Sequence, residues 1–212
     1  MHSAKNVIYK GVALQEATKV MIMIHGRGAS AQSILSLSDY FENDTMAYIA
    51  PQAEGSTWYP YSFLVPEKEN EPSLSSGLEV INTLVESLIS ENGFLPENIF
   101  LLGFSQGACL ALEYSARNAR NYGGVFALSG GLIGPHLEVE KYQGHFNKTP
   151  ILIGCSDIDF HIPKERVVES GKLVEGLGAE VLVQLYPNFG HSVHEREISF
   201  INEVLGRTQV IY

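Results

Sequence analysis

Ser105 stands between two glycines in Gly103-Phe104-Ser105-Gln106-Gly107, after the apolar run Ile99-Phe100-Leu101-Leu102 and before Ala108-Cys109-Leu110-Ala111-Leu112-Glu113-Tyr114. The five-residue pattern is short enough to arise by chance. A buried strand before it and a helix after it describe the setting in which such a serine becomes a nucleophile, held on a sharp turn with its Oγ outward. Glycines flank it because strand and helix approach where a Cβ would stand. The helix N-terminus adds positive partial charge beside any oxyanion that develops. A glycine-rich turn with a capping serine reads the same locally, so the chemistry depends on partners elsewhere.

A serine nucleophile needs a base to take its proton and an acid to orient that base. Two later apolar runs end in candidates. The run Pro150-Ile151-Leu152-Ile153-Gly154 leads into Cys155-Ser156-Asp157-Ile158-Asp159-Phe160-His161-Ile162-Pro163. The run Glu180-Val181-Leu182-Val183-Gln184-Leu185-Tyr186 leads into Pro187-Asn188-Phe189-Gly190-His191-Ser192-Val193-His194. Chain order is then Ser, Asp, His, with Asp157 and Asp159 both open for the acid. Asp157, Asp159 and His161 also form a run of hard ligands with one imidazole, a weak metal signal because no further ligand accompanies it.

The elements that must carry these residues alternate. Strand-like segments lie at 7–9, 19–26, 48–51, 99–102, 124–130, 150–154 and 180–186. Helical spacing is found at 31–41, 77–91, 108–114, 163–176 and 194–206. Unbroken apolar strands such as Val20-Met21-Ile22-Met23-Ile24 suit a sheet covered on both faces, and the alternation implies a parallel sheet with right-handed crossovers. About twenty residues separate the strands at 124–130 and 150–154, too few for an inserted cap of usual size. Residues 54–76 have no clear period but hold Trp58, Tyr59, Tyr61, Phe63 and Leu64. That stretch has two readings: the wall of an acyl pocket, with Trp58 as a substrate-binding residue, or aromatic packing and a contact for a second copy in a homodimer.

Composition narrows the class. With 212 residues, 45% apolar and 18% charged, a single domain over residues 1–212 is expected. A formal net charge of -10 argues against nucleic acid or an anionic membrane as partner and suits a small-molecule substrate. The two cysteines, Cys109 and Cys155, are too few for a disulfide framework and suit a reducing cytoplasm. No stretch approaches the ~20 apolar residues of a stable membrane insertion.

Together the motifs resemble the phospholipase/carboxylesterase family of α/β-hydrolases, which includes bacterial carboxylesterases and acyl-protein thioesterases. The likeness runs from His25-Gly26 through Gly103-Phe104-Ser105-Gln106-Gly107 and Asp159-Phe160-His161-Ile162-Pro163 to Gly190-His191. It implies an α/β-hydrolase fold without a large cap, hydrolysis of an ester or thioester through an acyl-enzyme, and no cofactor. The family's acid lies three residues before a hydrophobic-Pro pair, which selects Asp159. Its Gly-His selects His191 as base and leaves His194 to start the last helix. The resemblance puts the oxyanion donors at the amides of Arg27 and Gln106 and makes His25 a brace for the first of them. Arg27 replaces a frequent leucine, Ala29 an aspartate, Ala108 a second glycine and Ser156 a glycine. These departures bear on substrate choice more than on mechanism, so Arg27 is also expected to bind substrate.

Overall fold

The computed structural model describes residues 1–207; the last five positions of the expected domain span, 208–212, lie outside the described residues. Seven strands form one sheet in the order β1-β3-β2-β4-β5-β6-β7. They are β1 (Val7–Gly11), β2 (Lys19–Ile24), β3 (Met46–Pro51), β4 (Ile99–Phe104), β5 (Gly124–Leu128), β6 (Pro150–Ser156) and β7 (Glu180–Tyr186). β1 runs antiparallel beside β3, and every other neighbouring pair is parallel.

Alternation along the strands divides the core. Val20, Ile22 and Ile24 of β2 and Ile99 and Leu101 of β4 face one apolar layer; Met21, Met23, Phe100 and Leu102 face the other. Side chains of a strand alternate between faces, so each buried strand needs a cover on both sides. One side is covered by α3 (Ser73–Ser90), α4 (Gln106–Arg117) and α5 (Lys164–Gly176), the other by α1 (Ala31–Leu35) and α6 (Glu195–Gly206). The short α2 (Glu67–Asn70) precedes α3. This is the α/β-hydrolase fold, and residues 129–149 between β5 and β6 hold a three-residue 3₁₀ turn, Val139–Lys141, and a single β-bridge from Gly144 to Ala119 in place of a cap.

Three expected helices differ in extent; the one expected at 108–114 runs from Gln106 to Arg117. The helix expected at 31–41 is an α-turn through Leu35 that tightens into a 3₁₀ helix, Ser36–Tyr40. α3 begins at Ser73, four residues before its expected start, where the Glu71 carboxylate accepts from the Ser75 amide and hydroxyl and satisfies one of the free amides of the first turn. β4 is central, and the chain crosses from β3 over β2 to reach it, so winding reverses between β2 and β4. A crevice opens beyond the carboxyl ends of strands at such a point.

Candidate active site

Ser105 follows β4 with φ 55° and ψ -119°, a conformation that non-glycine residues adopt only when their surroundings enforce it. Three constraints hold it there. Its amide donates to Leu128 O of β5 at 2.9 Å, and its carbonyl accepts from Cys109 N at 3.0 Å. The chain also makes close approaches at both glycines: a Cβ on Gly103 would strike the Gly107 backbone, and one on Gly107 would strike the Ile24 carbonyl.

His191 Nε2 lies 2.8 Å from Ser105 Oγ and its Nδ1 lies 2.6 Å from Asp159 Oδ2. An ionised carboxylate only accepts, so the imidazole proton sits on Nδ1 and the Nε2 lone pair receives the serine hydroxyl. The other oxygen of Asp159, Oδ1, accepts from the His161 and Ile162 amides at 2.8 and 3.1 Å. Burial pushes this carboxyl upward, but the His191 bond and these amides outweigh it and hold it below its ordinary value. Asp157 takes no part: its Oδ1 accepts from Asn188 N at 2.9 Å. The run of hard ligands therefore diverges, one carboxylate to a loop amide and the other to an imidazole.

The loops bearing Asp159 and His191 are tied together. Ser156 Oγ accepts from Gly190 N at 3.1 Å, the Asp157 amide donates to Tyr186 O at 3.0 Å, and left-handed turns at Asn188 and Gly190 reverse the chain to aim His191 inward. His194 caps α6 through Nδ1, which accepts from Arg196 N at 3.1 Å.

Across the crevice, His25 is buried. Its Nε2 accepts from Ala53 N at 3.1 Å, so its proton sits on Nδ1, which donates to Gly26 O at 2.8 Å. Burial lowers its pKa, in keeping with a neutral ring. The His25 ring thus braces the turn that presents Arg27. The amides of Arg27 and Gln106 have no protein acceptor among the described residues; Gln106 opens α4, where the first amides of a helix lack intrahelical partners.

The aromatic stretch divides. Tyr59, Tyr61 and Phe63 line the cleft with Arg27, Phe104, His161 and Ile162, around a volume of about 650 Å³. Trp58 does not, which corrects its expected substrate-binding role. Its indole is fully buried beneath the Arg27 turn, with Nε1 donating to His25 O at 2.9 Å, because a buried indole N–H must find an acceptor.

Three side chains hold the backbone of this wall. Gln106 accepts from Trp58 N and donates to Tyr59 O, both at 2.8 Å. Arg27 donates to Pro60 O at 2.8 Å and Tyr61 O at 2.7 Å, and buried Asn70 accepts from Tyr61 N and donates to Ser62 O, both at 2.9 Å. The clamping by the side chains of Asn70 and Ser156 has no motif in the sequence, and the motif that contains Gln106 does not reveal its side-chain role; only their burial in the fold shows that each must find a partner. Cys109 also borders the cleft, but burial raises its thiol pKa to about 12 and leaves it a poor nucleophile.

The arrangement can pass a proton from Ser105 to an imidazole, in a cleft that Arg27 and Gln106 also line. A family model described as Phospholipase/Carboxylesterase matches residues 7–209. The crystal structure of a phospholipase/carboxylesterase from Dyadobacter fermentans superposes with a TM-score of 0.93 at 43% identity, covering 98% of each chain. Acyl-protein thioesterase 1 of Saccharomyces cerevisiae is 30% identical over 169 residues, 71% of this chain and 74% of that one. Carboxylesterase SOBER1 of Arabidopsis thaliana is 26% identical over 145 residues, 68% of this chain and 63% of that one.

Proposed function

The chain belongs to the phospholipase/carboxylesterase family and is a carboxylic ester hydrolase, and we propose that it works through an acyl-enzyme on Ser105 with His191 as base and Asp159 as orienting acid. The unbroken hydrogen-bonded relay from Asp159 through His191 to Ser105 Oγ carries this reading.

In the first half-reaction Ser105 Oγ attacks the ester carbonyl carbon as His191 Nε2 takes its proton. The new C–O bond pushes the carbonyl π electrons onto oxygen, where the Arg27 and Gln106 amides receive them. Collapse breaks the bond to the leaving alcohol, which departs with the proton from His191. Water then repeats the sequence: His191 takes its proton, the hydroxide adds to the acyl carbon, and Ser105 leaves reprotonated. Asp159 stays ionised throughout and stabilises the imidazolium formed in each half.

A thioester fits the same steps, with a thiol as leaving group, and the likeness to the yeast acyl-protein thioesterase supports testing it. Residence in the cytoplasm belongs to this reading, supported by two cysteines that remain free. No helix among the described residues is long and apolar enough to cross a membrane.

A fluorophosphonate probe tests the mechanism because only an activated serine labels fast. Wild type is expected to label at Ser105 and to hydrolyse 4-nitrophenyl butyrate, whereas Ser105→Ala and His191→Ala lose both. Hydrolysis near the wild-type rate by either folded variant would defeat the assignment.

A further inference from the structure

The cleft differs in charge from the rest of the molecule. The chain carries a formal net charge of -10, yet among the described residues no aspartate or glutamate lines the cleft, whose ionisable side chains include Arg27, His161 and His191. The carboxylates behind it are committed. Asp159, with a fully buried side chain, faces His191, and Glu113, equally buried, pairs with Arg117 at 2.7 Å. Arg27 has no carboxylate partner among the described residues.

Its guanidinium is nonetheless fixed. The carbonyls of Pro60 and Tyr61 each take one N–H, and the Tyr59 ring lies 6.0 Å from the guanidinium carbon. A guanidinium has five N–H donors in a planar fork, so three remain for a ligand. The rotamer entropy a binding arginine must lose is already spent on the wall. Carbonyl oxygens orient the cation without cancelling its charge. On the other side His161 places its ring 5.1 Å from that of His191.

Resting on the reading of Ser105 as nucleophile, we propose that the cleft selects esters bearing an anionic oxygen group, a carboxylate or a phosphate, and that Arg27 is the specificity residue that receives it. On that same reading the amide of Arg27 receives the reacting oxygen, which starts its side chain at the scissile carbonyl. The anionic group must then lie within one arginine side chain's reach of that carbon. A brace alone would require only the two carbonyl contacts; selection requires the remaining charge and donors to be used.

Two matched pairs test this: mono(4-nitrophenyl) adipate against its methyl ester, with the charge on the acyl side, and 3-carboxyphenyl butyrate against its methyl ester, with the charge on the leaving group. In wild type the anionic member of at least one pair is expected to exceed its neutral partner in kcat/KM by about tenfold or more. Arg27→Gln should lower that anionic-to-neutral ratio by about tenfold, and Arg27→Lys, which keeps the charge, should lower it less. In wild type alone, raising NaCl from ~20 to ~500 mM should depress the anionic member selectively.

A wild-type ratio at or below one in both pairs, or an equal loss on both members in Arg27→Gln and Arg27→Lys, overturns the selection while the Ser105 reading stands. An equal response of both members to salt does the same. If wild type hydrolyses none of the four esters and fails to label with the fluorophosphonate, the reading of Ser105 falls and this inference with it.

Discussion

Asp157 and Asp159 leave the same strand end two residues apart, and their partners separate their roles. Asp159 spends one oxygen on His191 and the other on two amides, whereas Asp157 receives a single loop amide. Asp159→Asn should therefore lower kcat by about three to four orders of magnitude, because an amide in its place can donate to Nδ1 and favour the wrong tautomer. Asp157→Asn keeps an oxygen acceptor for Asn188 N and should remain within about tenfold of wild type. Steady-state rates on 4-nitrophenyl butyrate, with unfolding curves to verify both folds, check the pair. A greater loss in Asp157→Asn would reverse the assignment. Gln106 follows Ser105 directly and lines the cleft, while its side chain holds the wall at Trp58 and Tyr59.

Strand β4 and helix α4 meet too closely for side chains at their junction. A Cβ at Gly103 would enter the backbone of Gly107 and Ala108 at the start of the helix, where neither element can yield without losing hydrogen bonds. Gly103→Ala is expected to destabilise the protein by at least about 3 kcal/mol, beyond ordinary overpacking of a flexible side chain. Gly176 provides the contrast at the end of α5, where an added Cβ meets nothing within 4 Å. Gly176→Ala should stay within about 1 kcal/mol of the parent and gain slightly from helix propensity. Urea unfolding of both variants measures the difference, and a small effect at Gly103 would mean that the turn can relax. At the same scale, the wall at 58–62 is an ordered element without regular structure, its backbone bonded in turn by Gln106, Arg27 and Asn70.

Across the whole molecule, Glu197 ties α6 to the sheet and to the loop after His191. Its Oε2 accepts from the His194 amide at 2.7 Å, and its carboxyl lies where Gly154 of β6 lacks a Cβ. The His194 ring stacks on Tyr186 at 4.0 Å. Burial raises the Glu197 pKa from 4.5 to about 7, with the His194 bond only partly opposing it. Between these values the native state holds a proton that the unfolded chain has released. Stability from this group therefore falls as pH rises through the window and levels off above it. The full effect is on the order of 3 kcal/mol. Glu197→Gln keeps an oxygen for the His194 amide and cannot ionise. It should flatten the pH dependence and exceed the parent in stability at pH ~8, as read by urea unfolding across pH ~4 to ~8. Parallel profiles for parent and variant would contradict it.

Local chemistry made the strained turn at Ser105, the alternating buried strands and the places of Asp159 and His191 just beyond strand ends legible in the sequence. Each depends on near neighbours: glycines where a Cβ cannot fit, unbroken apolar runs where both faces are covered, and polar residues just beyond strand ends. The seven strands all lie at or within about two residues of their expected places. The start of α3 was less legible, four residues before its expected place, because the carboxylate that receives its first-turn amide belongs to one side chain, Glu71, rather than to periodicity. Trp58 shows the limit at the site, since an aromatic side chain satisfies a core and a pocket equally well in composition. Its burial was decided by the acceptor it found at His25 O, on a turn more than thirty residues away in the chain. The same is true of Gln106, whose partners at Trp58 and Tyr59 come close only when the chain crosses from β3 to β4, and of Ser156, whose partner Gly190 follows the neighbouring strand β7. Sequence patterns record what a residue can do within its own element; the fold alone decides which distant amide or carbonyl it must satisfy.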